Sequence, residues 1–217
     1  MTDYAARRRM MVDTQVRPSD VTKFPIIDAM LTVPREIFVP DQAREAAYAE
    51  EHVALGDGRV VLDARTLAKM LDALEIGPSD LVLDIGAGLG YSSAVIARMA
   101  QAVVMVEEDE ALAGDAQSAL SDSGADNVIV QTGALNQGAA EHGPYDVIIV
   151  QGGIETLPEG IADQLKDGGR IACIFIEGTL GEVRTGLKID GAISWRYAFN
   201  TAAPVLPGFA AVREFSL

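Results

Sequence analysis

Asp84, Gly86, Gly88 and Gly90 lie where the apolar run Val82-Leu-Asp-Ile85 ends and the helical stretch Tyr91 to Met99 begins. Glycines at alternate positions between a strand and a helix let a ligand approach the main chain closely, as nucleoside cofactors do. The dinucleotide spacing G-x-G-x-x-G would require glycine at position 91, and Tyr91 stands there. A carboxylate just before the turn would repel a pyrophosphate. S-adenosylmethionine has no phosphate and carries an ammonium and a sulfonium, so Asp84, Gly86, Ala87, Gly88 and Gly90 favour that methyl donor. Taken alone, the same residues also suit an ordinary strand-to-helix connection.

The next apolar run, Ala102-Val-Val-Met-Val106, ends in Glu107, 23 positions after Asp84. In a parallel α/β sheet this puts a carboxylate at the carboxyl end of the neighbouring strand, exposed and able to accept both ribose hydroxyls. Glu108, Asp109 and Glu110 are read instead as charges that complement a helix N-terminus. Further on, Tyr145-Asp-Val-Ile-Ile-Val150 leads into Gln151-Gly-Gly153. Gln151, Gly152 and Gly153 either offer amides and a side-chain carbonyl to the reacting groups or simply make a tight turn. The two histidines, His52 and His142, lack metal-ligand spacing, so no metal is expected. Neither a nucleophile elbow nor a phosphate-binding GK[ST] loop is present.

Positioning these groups requires alternating strands and helices. The pattern predicts strands near 81–85, 102–106, 127–131, 145–150 and 169–176, with helices near 91–100, 109–123 and 158–166. After Glu177 it changes to a hairpin, Glu182 to Ile189 and Ala192 to Phe199, joined by Asp190-Gly191. The expected fold is α/β: a Rossmann-like, doubly wound sheet, mostly parallel, with antiparallel C-terminal strands. Residues 4 to 74 read as a helical cap broken at Pro18, Pro25, Pro34 and Pro40. Within it, Gly56-Asp-Gly58 and Val60-Val-Leu62 predict a short hairpin or extended loop, and Ala64 to Leu74 an amphipathic helix. The expected division is a cap with a substrate loop over 1–77 and a cofactor-binding domain over 78–217, together one unit.

Composition bounds the function. The chain has 217 residues, of which 49% are hydrophobic, enough for a substantial core. No apolar segment is long enough to span a bilayer, and the N-terminus has no signal-peptide core, so no membrane role is expected. A single cysteine, Cys173, excludes an internal disulfide and fits the cytoplasm. The formal net charge of −15 argues against a nucleic-acid partner. Ten of the 17 basic residues fall in the first 75 positions, where Arg17, Arg35, Arg59 and Arg65 are candidates for holding an acidic substrate.

Several segments together resemble the protein-L-isoaspartate O-methyltransferase family. Met10-Met-Val-Asp-Thr-Gln-Val-Arg17 is similar to its opening helix, and Val33-Pro-Arg-Glu-Ile-Phe-Val-Pro40 to its VPRExFVP segment. Val82 to Arg98, Pro144 to Val150, Leu157-Pro158 and Gln164-Leu-Lys-Asp-Gly-Gly-Arg170 resemble its cofactor and later motifs, and Pro204-Val-Leu-Pro207 its closing strand. The resemblance implies a class I methyltransferase fold and S-adenosylmethionine-dependent methylation of the α-carboxylate of L-isoaspartyl residues in damaged proteins. The partner would be a peptide or protein bearing an acidic group. Gly58 to Arg65 stands where the family has a GxxISQP-like loop, with Leu62 at its serine. That substitution leaves Arg59, Arg65 or loop amides to orient the substrate, with no catalytic residue assigned. Gln131-Thr132-Gly133 stands at the family's acidic turn near the adenine, placing Thr132 and Gly133 with the cofactor-binding set, to which Gln151 at the end of the Tyr145 to Val150 run is also assigned. The alternative is a methyltransferase-like protein that binds the cofactor but has lost or changed the repair activity. Nucleic-acid methylation is a weaker option still.

Overall fold

The computed structural model describes residues 3–211 and opens with the helical cap. Asp3 caps α1 (Tyr4–Met11), accepting from the Ala6 amide at 2.9 Å, and the chain winds on through Val12–Val16 to a left-handed stop at Asp20. α2 (Phe24–Thr32) has Pro25 in its first turn, where the missing N–H would be unpaired in any case. Short helical turns at Arg35–Ile37 and Asp41–Ala46 then lead to β1 (Val53–Gly56) and β2 (Arg59–Val61), which pair as an antiparallel hairpin. Asp63 caps α3 (Ala64–Leu74), accepting from the Thr66 amide at 2.8 Å.

Five strands pair in parallel in the order β5 (Val128–Thr132), β4 (Ala102–Glu107), β3 (Leu81–Ile85), β6 (Tyr145–Ile154) and β7 (Leu165–Glu177). β8 (Leu180–Ile189) and β9 (Ala192–Asn200) extend the sheet antiparallel beyond β7. α4 (Tyr91–Ala97), α5 (Glu110–Asp122) and α6 (Glu159–Asp163) make three of the four crossovers, and the short turns Leu135–Gln137 and Ala140–His142 make the one from β5 to β6. Side chains alternate between the two faces with period two. Val82, Met105, Ile149 and Ile174 join a core shared with the cap and α3, while Leu83, Val104, Ile148 and Cys173 join one closed by Leu135, Ile161 and Phe209. Both faces are covered, which is why the central strands read as unbroken apolar runs. Packing crosses position 77 freely, since Met11, Phe38 and Leu62 belong to the same core as Val82.

The expected elements form, with two displacements. α6 stops at Asp163, and β7 begins at Leu165 through an irregular start opposite Tyr145. β6 continues past Val150 to Ile154, so Gly152 and Gly153 are strand residues and the tight turn does not occur. They stay extended because residues 203–206 return along them: the Gly153 amide donates to Pro204 O at 2.8 Å and the Leu206 amide to Gly153 O at 2.9 Å.

Candidate functional site

The carboxyl ends of β3, β4 and β6 converge on the turn Gly86 to Gly90. The Gly86 amide donates to Val106 O at 2.9 Å, which ties the turn to β4. Gly86 and Gly88 have φ of 74° and 60°, a region open mainly to glycine. Gly90 caps α4, which starts at once with Tyr91. Asp84, at the end of β3, is fully buried and points into the protein: its carboxylate accepts from Ser92 Oγ and Ser93 Oγ, each at 2.6 Å, and from Gln151 Nε2 at 2.8 Å. Burial raises its pKa against these three hydrogen bonds. Asp84 therefore joins β3, α4 and β6, and the Gln151 side chain is spent on it.

Glu107 occupies the expected strand end but is fully buried, where sequence reasoning had it exposed. Arg59 of β2 reaches it through a two-pronged ion pair, Nη1 to Oε1 at 2.8 Å and Nη2 to Oε2 at 2.7 Å. The amides of Glu108 and Asp109 donate to Oε1 at 2.9 and 3.2 Å, and the Gly88 amide to Oε2 at 2.9 Å. The carboxylate thus has five donors, filling its acceptor sites. Arg59, read beforehand as a substrate contact, is only 6% exposed and committed here.

Apolar side chains fill the remaining space. A methyl group built on Gly86 would lie 3.0 Å from Leu206 Cδ1 and 3.3 Å from Arg59 Nη2, and one on Gly152 would lie 2.6 Å from Leu206. A methyl on Gly88 would collide with Leu55 Cδ1. Between Val60–Leu62 and Ala87, Ser92 and Gln151 only about 10 Å³ remains, room for about one water. Outside this plug, Leu55, Asp57, Arg59, Asp109, Leu112 and Pro207 border an open groove of about 320 Å³. Arg59, Leu55 and Leu206 were not legible as fillers. The one local signal was a lone arginine at the head of the apolar run Val60-Val-Leu62.

The segment Gly58 to Arg65, expected to be the substrate loop, is held from below. Leu62 is 2% exposed with its side chain in the core, and its carbonyl accepts from Arg35 Nη2 at 2.8 Å. Buried Arg35 also donates from Nε to Ala47 O at 2.6 Å and lies 4.6 Å from the centre of the Tyr91 ring, so the VPRExFVP arginine pins the loop to the cap and α4. His52 accepts the Asp63 amide at Nδ1 and bonds Ala202 O through Nε2, both at 2.9 Å, a structural link between the loop and the C-terminal segment. Arg65 is exposed on the first turn of α3. Thr132 is exposed at the end of β5, and the Gly133 amide is used by Glu107 O at 3.0 Å. No group of histidine, cysteine and acidic side chains suited to a metal ion occurs among the described residues.

A sequence profile described as protein-L-isoaspartate(D-aspartate) O-methyltransferase matches residues 7–182. The chain belongs to the protein-L-isoaspartate O-methyltransferase family. It is 36% identical over 189 residues to the protein-L-isoaspartate O-methyltransferase of Roseiflexus castenholzii, covering 87% of this chain and 86% of that one. To the enzyme of the same name from Pelotomaculum thermopropionicum it is 38% identical over 167 residues, covering 77% and 73%. A solved protein-L-isoaspartate O-methyltransferase superposes with a TM-score of 0.80 at 25% identity, over 93% of this chain and 66% of that one. A Plasmodium falciparum structure, described as a putative member in complex with S-adenosyl-L-homocysteine, gives 0.79 at 18% identity over 95% and 99%. The class I methyltransferase fold expected for a member of this family is the one observed.

Proposed function

We propose that this chain is an S-adenosylmethionine-dependent O-methyltransferase that esterifies the α-carboxylate of L-isoaspartyl residues in proteins. The observation that carries the reading is the juxtaposition of the positive-φ glycine turn with the Glu107 carboxylate, joined by the Gly88 amide at 2.9 Å. The donor set fits such a cofactor: bare main chain at Gly86 and Gly88, a diol-accepting acid at the end of β4, and a hydroxyl at Thr132 on β5. The space beside these groups is taken by Arg59, Leu55 and Leu206, which must move for it to enter.

When bound, the donor supplies an electrophilic methyl group. A carboxylate is already ionised at neutral pH, so the protein need not hold a general base and contributes orientation and dryness instead. Leu62, Ala87 and Leu206 make the surroundings apolar, and Arg65 is the exposed cation placed to meet an acidic substrate. In this reading residues 1–77 form the substrate side and 78–217 the donor side. The acidic balance favours a protein or peptide partner over nucleic acid. Among the described residues no helix is long and apolar enough to cross a membrane, and a cytoplasmic setting belongs to the same proposal. Incubation with methyl-labelled donor and an isoaspartyl peptide should give a base-labile methyl ester; bound donor with no ester above background would reject the activity.

Leu62 favours a second reading, a donor-binding protein without repair turnover, because a buried leucine cannot donate a hydrogen bond. Leu62→Ser separates the two. Ester formation by the variant alone would support the second reading, whereas turnover by the unaltered chain would end it.

A further inference from the structure

The fork of a guanidinium presents two parallel N–H donors to two carboxylate oxygens. A cis-diol presents two O–H donors to the same atoms. On Glu107 the first arrangement stands where the second would be needed, with Nη1 and Nη2 of Arg59 at 2.8 and 2.7 Å. The three amides that complete the acceptor set come from the glycine turn and the start of α5, which are fixed parts of the fold, so Arg59 is the exchangeable partner.

Arg59 sits on an element small enough to move. β1 and β2 form a separate two-stranded sheet whose backbone pairs with no strand of the main sheet, so the Arg59 side chain is its tie to β4. Val53 and Val61 at its base are buried in the core, whereas Gly56, Asp57 and Gly58 at its tip are exposed. Leu55 and Arg59 flank that tip, and both point at the glycine turn. A rotation of the tip about the anchored base would withdraw them together and connect the inner crevice to the open groove beside Asp109 and Leu112.

We propose that the β1–β2 hairpin is a built-in latch in which Arg59 holds the seat of a nucleoside diol on Glu107. The donor then enters only after the hairpin tip swings out. This rests on the donor reading given above. A protein that binds only from a minor open state loses apparent affinity in proportion to that state's population, so an open fraction of about 0.1–10% weakens binding roughly 10- to 1,000-fold.

Calorimetric titration with S-adenosylmethionine tests the latch on the full chain, with thermal melting as the check of folding. Arg59→Gln should bind at least about tenfold more tightly than the unaltered chain. Leu206→Ala clears space beside Gly86 and Gly152 without touching the ion pair, and should tighten binding as well. Equal, measurable affinity in all three would overturn the latch and leave the donor reading standing. No binding by any folded form would overturn both. If Arg59→Gln fails to fold, amide hydrogen exchange on the unaltered chain decides. Saturating donor should speed exchange at Arg59–Val61, and unchanged protection there with donor bound would overturn the latch.

Discussion

At the residue scale, the Arg59–Glu107 pair changes what a mutation at the proposed donor site should do. Truncating Glu107 leaves a guanidinium buried without its partner, and breaking a buried pair in this way costs about 3–5 kcal/mol. Glu107→Ala should therefore lower the urea midpoint markedly, contrary to the near-intact fold expected of an exposed strand-end acid. The double replacement Arg59→Met with Glu107→Met should recover the part of the loss that comes from the stranded guanidinium and not the part from the three amides left without their acceptor, and a single variant as stable as the unaltered chain would contradict the geometry. Asp84 makes the complementary case. Asp84→Asn puts an amide among three donors, Ser92, Ser93 and Gln151, and should destabilise by roughly 1–3 kcal/mol in the same assay. The sequence placed both acids correctly at strand ends because strand, turn and helix signals are local. Which way each carboxylate faces was not legible, since the partners of Glu107 and Asp84 lie as many as 48 and 67 positions away.

At the element scale, His52 and Asp63 link the hairpin, the start of α3 and the segment at Ala202. Burial alone would raise the Asp63 carboxyl, but hydrogen bonds from His52 and Thr66 bring it down from 3.8 to about 2. Its contribution is therefore present above about pH 3.8 and lost as the pH falls towards 2, a depression worth on the order of 2 kcal/mol. His52 is raised above 6.5, chiefly by its hydrogen bond with Asp63 and against the effect of burial. Its contribution is full below pH 6.5 and disappears as the pH rises through the elevated value. On protonation Nδ1 exchanges acceptance of the Asp63 amide for donation to the carboxylate oxygen 3.1 Å away. Asp63→Asn should then bring the His52 titration, followed by its imidazole proton resonance, back towards 6.5. An unmoved midpoint would sink this assignment. α3 and the hairpin were readable from the amphipathic run and the Gly56-Asp-Gly58 turn. The hairpin's inward-facing residues were not, because a strand pattern gives alternation without saying which neighbour each face meets.

At the scale of the whole molecule, the apolar runs of β3, β4 and β6, which lie between covered faces, and the alternating pattern of β8 and β9 were enough to anticipate the parallel sheet and its antiparallel end. The return of residues 203–206 along β6 was anticipated only by the resemblance of Pro204-Val-Leu-Pro207 to the family's closing strand and not by alternation: it rests on one bridge at Val205 and close backbone approach at Gly153. A methyl group on Gly153 would lie 2.6 Å from Ala203 O and 2.7 Å from Ile176 Cγ1. Gly153→Ala should thus push the segment off the sheet at a cost of about 1–3 kcal/mol, seen in thermal melting. If the melting temperature does not fall, the segment is not held there. β7 holds the chain's lone thiol, Cys173, buried on the sheet face that Leu135, Ile161 and Phe209 close, where burial pushes its pKa up. A disulfide reagent in solution can reach that sulfur only when the layer packed over that face opens. With reagent in large excess, the rate of colour release becomes the opening rate of the native protein. The chain carries its own stopwatch for unfolding, readable without denaturant or an attached dye.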